Sequence, residues 1–210
     1  SSAFSACESL TSIDIPASVN SIQSDTFSYC KKLASITIPS SVTSIGSSAF
    51  ECCTSLATIN IPDSVTSIGE HAFDSCSSLT SIDIPKSVIF IGEDAFSSTS
   101  LSVIDIPESV TSIEPFTFRD CIVLASVHLP SSLVSIGAEA FTSCSALSSV
   151  NIPNGVKSIG ENAFSECTSL NSITIPSSVT SLGELVFAGC TSLTSISLPD
   201  SIGSIPPRAF

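Results

Sequence analysis

Apolar and polar residues alternate in short bursts along this chain, and the bursts recur in one order. The segment from Leu56 to Cys76 shows the unit in a clean copy. Leu56, Ile59, Ile61, Val65, Ile68, Ala72, Phe73 and Cys76 form its apolar frame, with Ser, Thr, Asp, Asn and Glu filling most gaps. Ile59-Asn60-Ile61 has the period of two expected of a half-buried strand. Pro62 ends it, because proline brings no N–H to a ladder. Equivalent prolines stand at Pro16, Pro39, Pro85, Pro107, Pro130, Pro153, Pro176 and Pro199. Val65 and Ile68 predict a second, shorter extended segment, closed by Gly69 as a residue able to take positive φ. Ala72, Phe73, Cys76 and Leu79 recur at three- and four-residue intervals, which predicts a helical turn with one face inward. Glu70, Glu93, Glu161 and Glu184 follow the glycine, where a carboxylate suits the positive end of such a turn or is simply solvated.

The unit repeats through the chain. Phe4, Phe27, Phe50, Phe73, Phe96, Phe118, Phe141, Phe164, Phe187 and Phe210 are 23 residues apart, except for 22 between Phe96 and Phe118. A period in this range means stacked coils, since one coil cannot bury its own apolar face. The predicted fold is a strand-dominated, α/β-type repeat solenoid over residues 1–210, read as one domain. A parallel sheet runs along one side, about 40 Å long for nine coils at about 4.8 Å per strand. The chain lacks an initiating Met, opens on polar Ser1-Ser2 with no signal peptide, and stops inside a repeat at Ala209-Phe210. It is expected to be a piece of a longer protein.

Charge narrows the function. The net charge is −13 with six Lys and Arg residues, so the basic stripe of a nucleic-acid binder is missing. Attraction to an anionic membrane surface is disfavoured for the same reason. No apolar run approaches the roughly 18 residues of a membrane span.

The recurring pattern LxxIxIPxSVxSIGxxAFxxC resembles the BspA-like class of leucine-rich repeats over essentially the whole chain. The resemblance implies a right-handed superhelix with its parallel sheet on the concave side. It also implies a cell-surface or secreted protein of a bacterium or protist, in a class associated with adhesion to host proteins or other cells.

Eight of nine cysteines occupy one repeat position, three residues after a Phe: Cys7, Cys30, Cys53, Cys76, Cys121, Cys144, Cys167 and Cys190. Cys52 alone is out of register. A column of parallel side chains, one per coil, suits neither the convergent geometry of a zinc site nor a bridge. Buried structural thiols are expected, each donating to a carbonyl of the neighbouring coil. His71 and His128 fall on different faces. There is no nucleophile elbow or phosphate loop, and Asp83 and Asp105 share the outward strand position in adjacent coils, where solvated acids are the ordinary reading and a weak calcium site the sharper one. No catalytic activity, cofactor or metal is expected.

The repeat is irregular over 86–123. Thr99 replaces the column cysteine, and one residue is lost between Phe96 and Leu101. Ile89 and Phe90 stand where other coils carry polar residues, and Val103 replaces an outward Ser or Thr. Glu114-Pro115-Phe116 replaces the glycine segment, and Ile122-Val123 follow Cys121. Two readings compete: a local bend with a repacked coil, or an exposed patch that docks a partner. Elsewhere the outward row is small and polar, including Ser35 and Thr37, Thr58 and Asn60, and beyond the break Ser149 and Asn151. Candidate binding residues are therefore Ile89, Phe90, Val103, Phe116, Ser35, Thr37, Thr58, Asn60, Asp83, Asp105 and His128. The expected function is a non-catalytic protein–protein interaction module of adhesin type, its modest affinity per coil raised by multivalency. The alternative is a structural spacer, with an ice- or water-ordering surface a distant third. Coils left open at the ends are expected either to be covered by capping segments of a longer parent or to undergo end-to-end self-association.

Overall fold

The computed structural model describes residues 2–210; Ser1 of the polar opening stretch lies outside them. Six central coils each contribute a three-residue strand, a two-residue strand and a run of turns, and the coils towards either end pair on the long row only through isolated bridges at Asp14, Thr37 and Ser197. The longer strands are β2 (Thr58–Asn60), β4 (Ser81–Asp83), β6 (Val103–Asp105), β8 (Ser126–His128), β10 (Ser149–Asn151) and β12 (Ser172–Thr174). The shorter ones are β1 (Ser44–Ile45), β3 (Ser67–Ile68), β5 (Phe90–Ile91), β7 (Ser112–Ile113), β9 (Ser135–Ile136), β11 (Ser158–Ile159) and β13 (Ser181–Leu182). All pairing is parallel and in repeat register, as in Thr58 beside Ser81 and Ile68 beside Ile91. The strands are short because Pro62 and its equivalents end the long row and the glycine position ends the short one.

The inward residues form one hydrophobic cluster running from Ile22 to Ala209. The ten phenylalanines of the repeat stack in a single column with ring centroids 5.3–5.9 Å apart and planes within 17° of parallel. Two polar columns satisfy backbone acceptors between coils. The serine of the recurring Ser-Val pair donates to the preceding coil's valine carbonyl, as Ser64 does to Val42 at 2.6 Å and Ser178 to Val156 at 2.7 Å. The thiol column does the same for phenylalanine. Cys30, Cys53, Cys76, Cys121, Cys144, Cys167 and Cys190 each donate Sγ–H to the carbonyl of the preceding coil's Phe at 3.1–3.2 Å. The expected structural role holds for these seven; Cys7, in the first described coil, is exposed instead, because no described coil precedes it to supply the acceptor and cover it.

Two expectations need correction. The Ala-Phe segment is not helical. Its N–H groups alternate in direction: His71, Phe73 and Ser75 donate to Glu93, Ala95 and Ser97 of the next coil, while Ala72, Asp74 and Cys76 donate within the turn. Residues two before and two after the phenylalanine, such as His71 (φ 53°) and Ser75 (φ 59°), lie in the left-handed region. Those inversions swing every second peptide towards the neighbouring coil. A helix would direct all its N–H groups back into itself and leave the stack unpaired on this side. With no helix, the glutamates after the glycine have no helix end to complement.

The conserved-looking glycine position also works differently from the expectation. Gly189, elsewhere in the repeat, is the one described glycine with positive φ. At Gly92 a Cβ would sit 2.5 Å from the backbone N of Glu70 in the preceding coil. Glycine is needed there because two backbones touch.

That requirement explains the break. In the coil after Gly92 the position is held by Glu114, whose Cβ cannot fit against the coil behind it at that spacing. The short row is continuous through β1-β3-β5 and through β7-β9-β11-β13, and β5 and β7 are unpaired. Pro206 holds the same position in the last coil, and the short row ends before it at β13. Pro115 costs no ladder bond, since Glu70, which follows the glycine in its coil, donates no inter-coil N–H bond either. The long row pairs as β2-β4, β6-β8 and β10-β12; its gap between β4 and β6 lies at the same interface as that between β5 and β7. Nothing in the residues accounts for the further gap between β8 and β10.

Candidate interaction surface

The long row presents two outward columns. One runs Asp14, Thr37, Asn60, Asp83, Asp105, His128, in paired register from Asp14 to Asp83 and again from Asp105 to His128. The other carries Ser35, Thr58, Ser81, Val103 and Ser126. The backbone alternation that buries Ile59, Ile82 and Ile104 forces their neighbours outward, so these residues are exposed or nearly so. Small side chains at most coils leave the row low and open. Its relief is at the centre, where Asp83, Val103, Asp105 and His128 follow one another over three coils.

His128 Nδ1 bonds Asp105 Oδ1 across β6 and β8. Both side chains are well exposed, at 68% and 81%. Asp105 is thus engaged by His128, on an open surface. Among the described residues no three His, Cys, Asp or Glu side chains converge as metal ligands would.

The other candidates lie on different rows. Ile89 (63% exposed) and Phe90 (44%) stand on the short row, and Val134 (47%) joins them there two coils on, at the position of Ile89. Val103 is on the long row. Phe116 is half-buried on the turn row, at φ 58°. Apolar substitutions therefore occur on several sides of the same few coils, and do not form one patch.

The turn row holds a charge cluster that pattern reading missed. Asp94 is buried, and Arg119 from the next coil donates Nη2–H to its Oδ1 at 3.2 Å. The guanidinium lies 4.8 Å from the Phe116 ring centroid, a cation–π distance. Glu139 is 3.9 Å away in the following coil, and Asp120 is 3.8 Å away. His71 Nδ1 lies 3.9 Å from Asp94 and 4.0 Å from Asp74. The Nε of Arg119 is buried without a partner. Burial raises the Asp94 carboxyl above its ordinary range despite the opposing pull of Arg119 and His71. Burial likewise raises Asp74. The signal available in the sequence was an arginine and an aspartate at positions that are mostly small or polar in other coils.

Thr99 shows why its coil tolerates the lost residue. Its hydroxyl turns back onto Phe96 O at 2.8 Å and lies 3.2 Å from Cys121 Sγ. The hydroxyl satisfies its own coil, and the Phe73 carbonyl goes without the inter-coil donor that other coils receive.

These features coincide with a family match. The model of the BspA type leucine-rich repeat region matches residues 1–125 and 90–210, in six copies. The chain belongs to that family. Among solved structures it is similar to a leucine-rich repeat protein of T. pallidum, at 31% identity and a TM-score of 0.58, covering 88% of this chain and 78% of that one. A leucine-rich repeat protein from Eubacterium ventriosum shares the fold at 22% identity and a TM-score of 0.60, over 93% of this chain and 62% of that one. The pneumococcal vaccine antigen PcpA shares it at 19% identity and 0.51, over 94% and 74%. No curated protein matches by sequence.

Proposed function

We propose that the chain is a non-catalytic protein-binding module, an adhesin-type segment of a cell-surface or secreted protein. The observation that supports this most is the long row itself: an open parallel-strand surface with Asp83, Val103, Asp105 and His128 standing together at its centre. Among the described residues the row carries acids and no lysine or arginine at its outward positions, so the partner that suits it is a protein with exposed basic groups. The non-catalytic part of the reading draws on the openness of the histidine–carboxylate pair, since acid–base work needs a sheltered, oriented pair. The surface setting draws on family membership, and no helix is long and apolar enough to cross a membrane among the described residues.

The test is binding of the chain to immobilised extracellular-matrix and cell-surface proteins. Retention of a partner, weakened about tenfold or more by V103S/D105N/H128A as expected for a central hot spot, supports the reading. Retention that the triple variant leaves unchanged places the contact elsewhere and overturns this surface. A chain that binds nothing in such a screen favours the spacer role.

A further inference from the structure

Independently of any partner, one coil interface differs from the others in kind. Between the coil of β4 and β5 and the coil of β6 and β7, both strand rows are unpaired. Elsewhere in the span from β1 to β13 the short row is laddered. The backbone shows the same loss. Thr66 N donates to Thr43 O, Ile89 N to Thr66 O and Val134 N to Thr111 O; Thr111 N makes no such bond. Gly92 N donates to Ile68 O and Gly137 N to Ile113 O; Glu114 N makes none.

What still crosses this interface lies mainly on the turn side. Asp94, Phe96 and Ser98 donate to Pro115, Thr117 and Arg119 at 3.2, 3.0 and 2.8 Å. Phe96 stacks on Phe118 at 5.7 Å, and Ser109 and Cys121 keep their column bonds. Arg119 adds the ion pair to Asp94 and reaches on towards Glu139.

In a stacked array, stability is close to a sum of coil terms and nearest-neighbour interface terms, so one weak interface divides the array into separately cooperative arms. We propose that this interface is a built-in opening boundary, created by Glu114 at the glycine position and latched by the Asp94–Arg119 pair. The arm before it and the arm after it open without each other. The latch sits on the side where the backbone ladder persists, so opening this boundary means breaking the turn-side bonds of Asp94, Phe96 and Ser98.

Native-state hydrogen exchange tests this on the whole chain. The amides of Asp94, Phe96 and Ser98 should exchange about tenfold faster or more than their equivalents His71, Phe73 and Ser75 in the first arm and Glu139, Phe141 and Ser143 in the second. Glu114→Gly restores the residue that the flanking coils have at Gly92 and Gly137 and should remove that difference. Arg119→Met should enlarge it without altering His71, Phe73 and Ser75. Equal exchange at all three sets in the native chain overturns the proposal. So does a fast boundary that Glu114→Gly leaves unchanged, because the cause named here would then be wrong.

Discussion

Across the interface that brings Ile159 onto Ile136 the short strands are laddered; across the one that brings Ile113 behind Ile91 they are not. The two interfaces share their main packing columns. Each stacks a phenylalanine pair, at 5.3 Å for Phe141–Phe164 and 5.7 Å for Phe96–Phe118. Each keeps a thiol bonded to a phenylalanine carbonyl. The decisive difference is one atom, the Cβ of Glu114 where the other coil has Gly160. At Gly160 a Cβ would meet Ala138 N at 2.5 Å. Side-chain columns tolerate exchange in this fold, and backbone contact does not.

The largest effect should come from the core. Phe141→Ala, at a fully buried position, should cost about 3–5 kcal/mol. If the two arms are separate, denaturation followed by exchange should show protection lost after the boundary while Phe50 and Phe73 amides stay protected. Loss throughout the chain at once would abolish the distinction between the arms. Next in size, Gly160→Ala should reproduce the break in a regular place. Forcing the coils apart should cost about 1–3 kcal/mol, read as a lowered denaturation midpoint with faster exchange at Gly160 and its neighbours.

Arg119→Met should cost about 1–2 kcal/mol at neutral pH, less than for a wholly buried pair because Arg119 is partly exposed. Asp94 supplies a pH signature. Its carboxyl is raised in the folded chain, so the folded state binds the proton more tightly than the unfolded one, and ionised Asp94 is the costly form. Without Arg119 that cost grows. The destabilisation should be full above the raised folded value and shrink as pH falls through it. A cost that is constant between pH 7 and pH 4 would show that Arg119 acts by packing on Phe116 alone. The smallest effect is on reactivity. Burial pushes the Cys53 thiol up to about 12 and Cys121 up to about 11, so at pH 8 these thiols stay protonated and unreactive. A thiol reagent should label exposed Cys7 first and the buried column only on unfolding. Early labelling of Cys121 would mark the boundary as already open.

Much of the architecture was legible because it rests on side-chain periodicity. Ile59, Ile68 and Phe73 announce three inward columns, and the shift between Phe96 and Phe118 locates the irregular coils. The column cysteines were readable as core for the same reason. The candidate surface was legible only in part. Outward positions such as Val103 and Asp105 follow from alternation, but the pairing of His128 with Asp105 depends on which residues become neighbours across strands. The residue types of Asp94 and Arg119 could be noticed but their contact could not be read, since the two are 25 residues apart and their meeting depends on coil register after a one-residue deletion.

The sequence by itself determined the repeat, its inward faces and the place where it falters, because burial selects residue type position by position. Only the tertiary structure decided what the turns and glycines do. Left-handed φ at His71 and Ser75 arises because alternate N–H groups find acceptors in the next coil. The glycine matters because another backbone lies against it. Both are relations between coils, and a residue's identity within its own coil does not state how closely the neighbouring coil approaches.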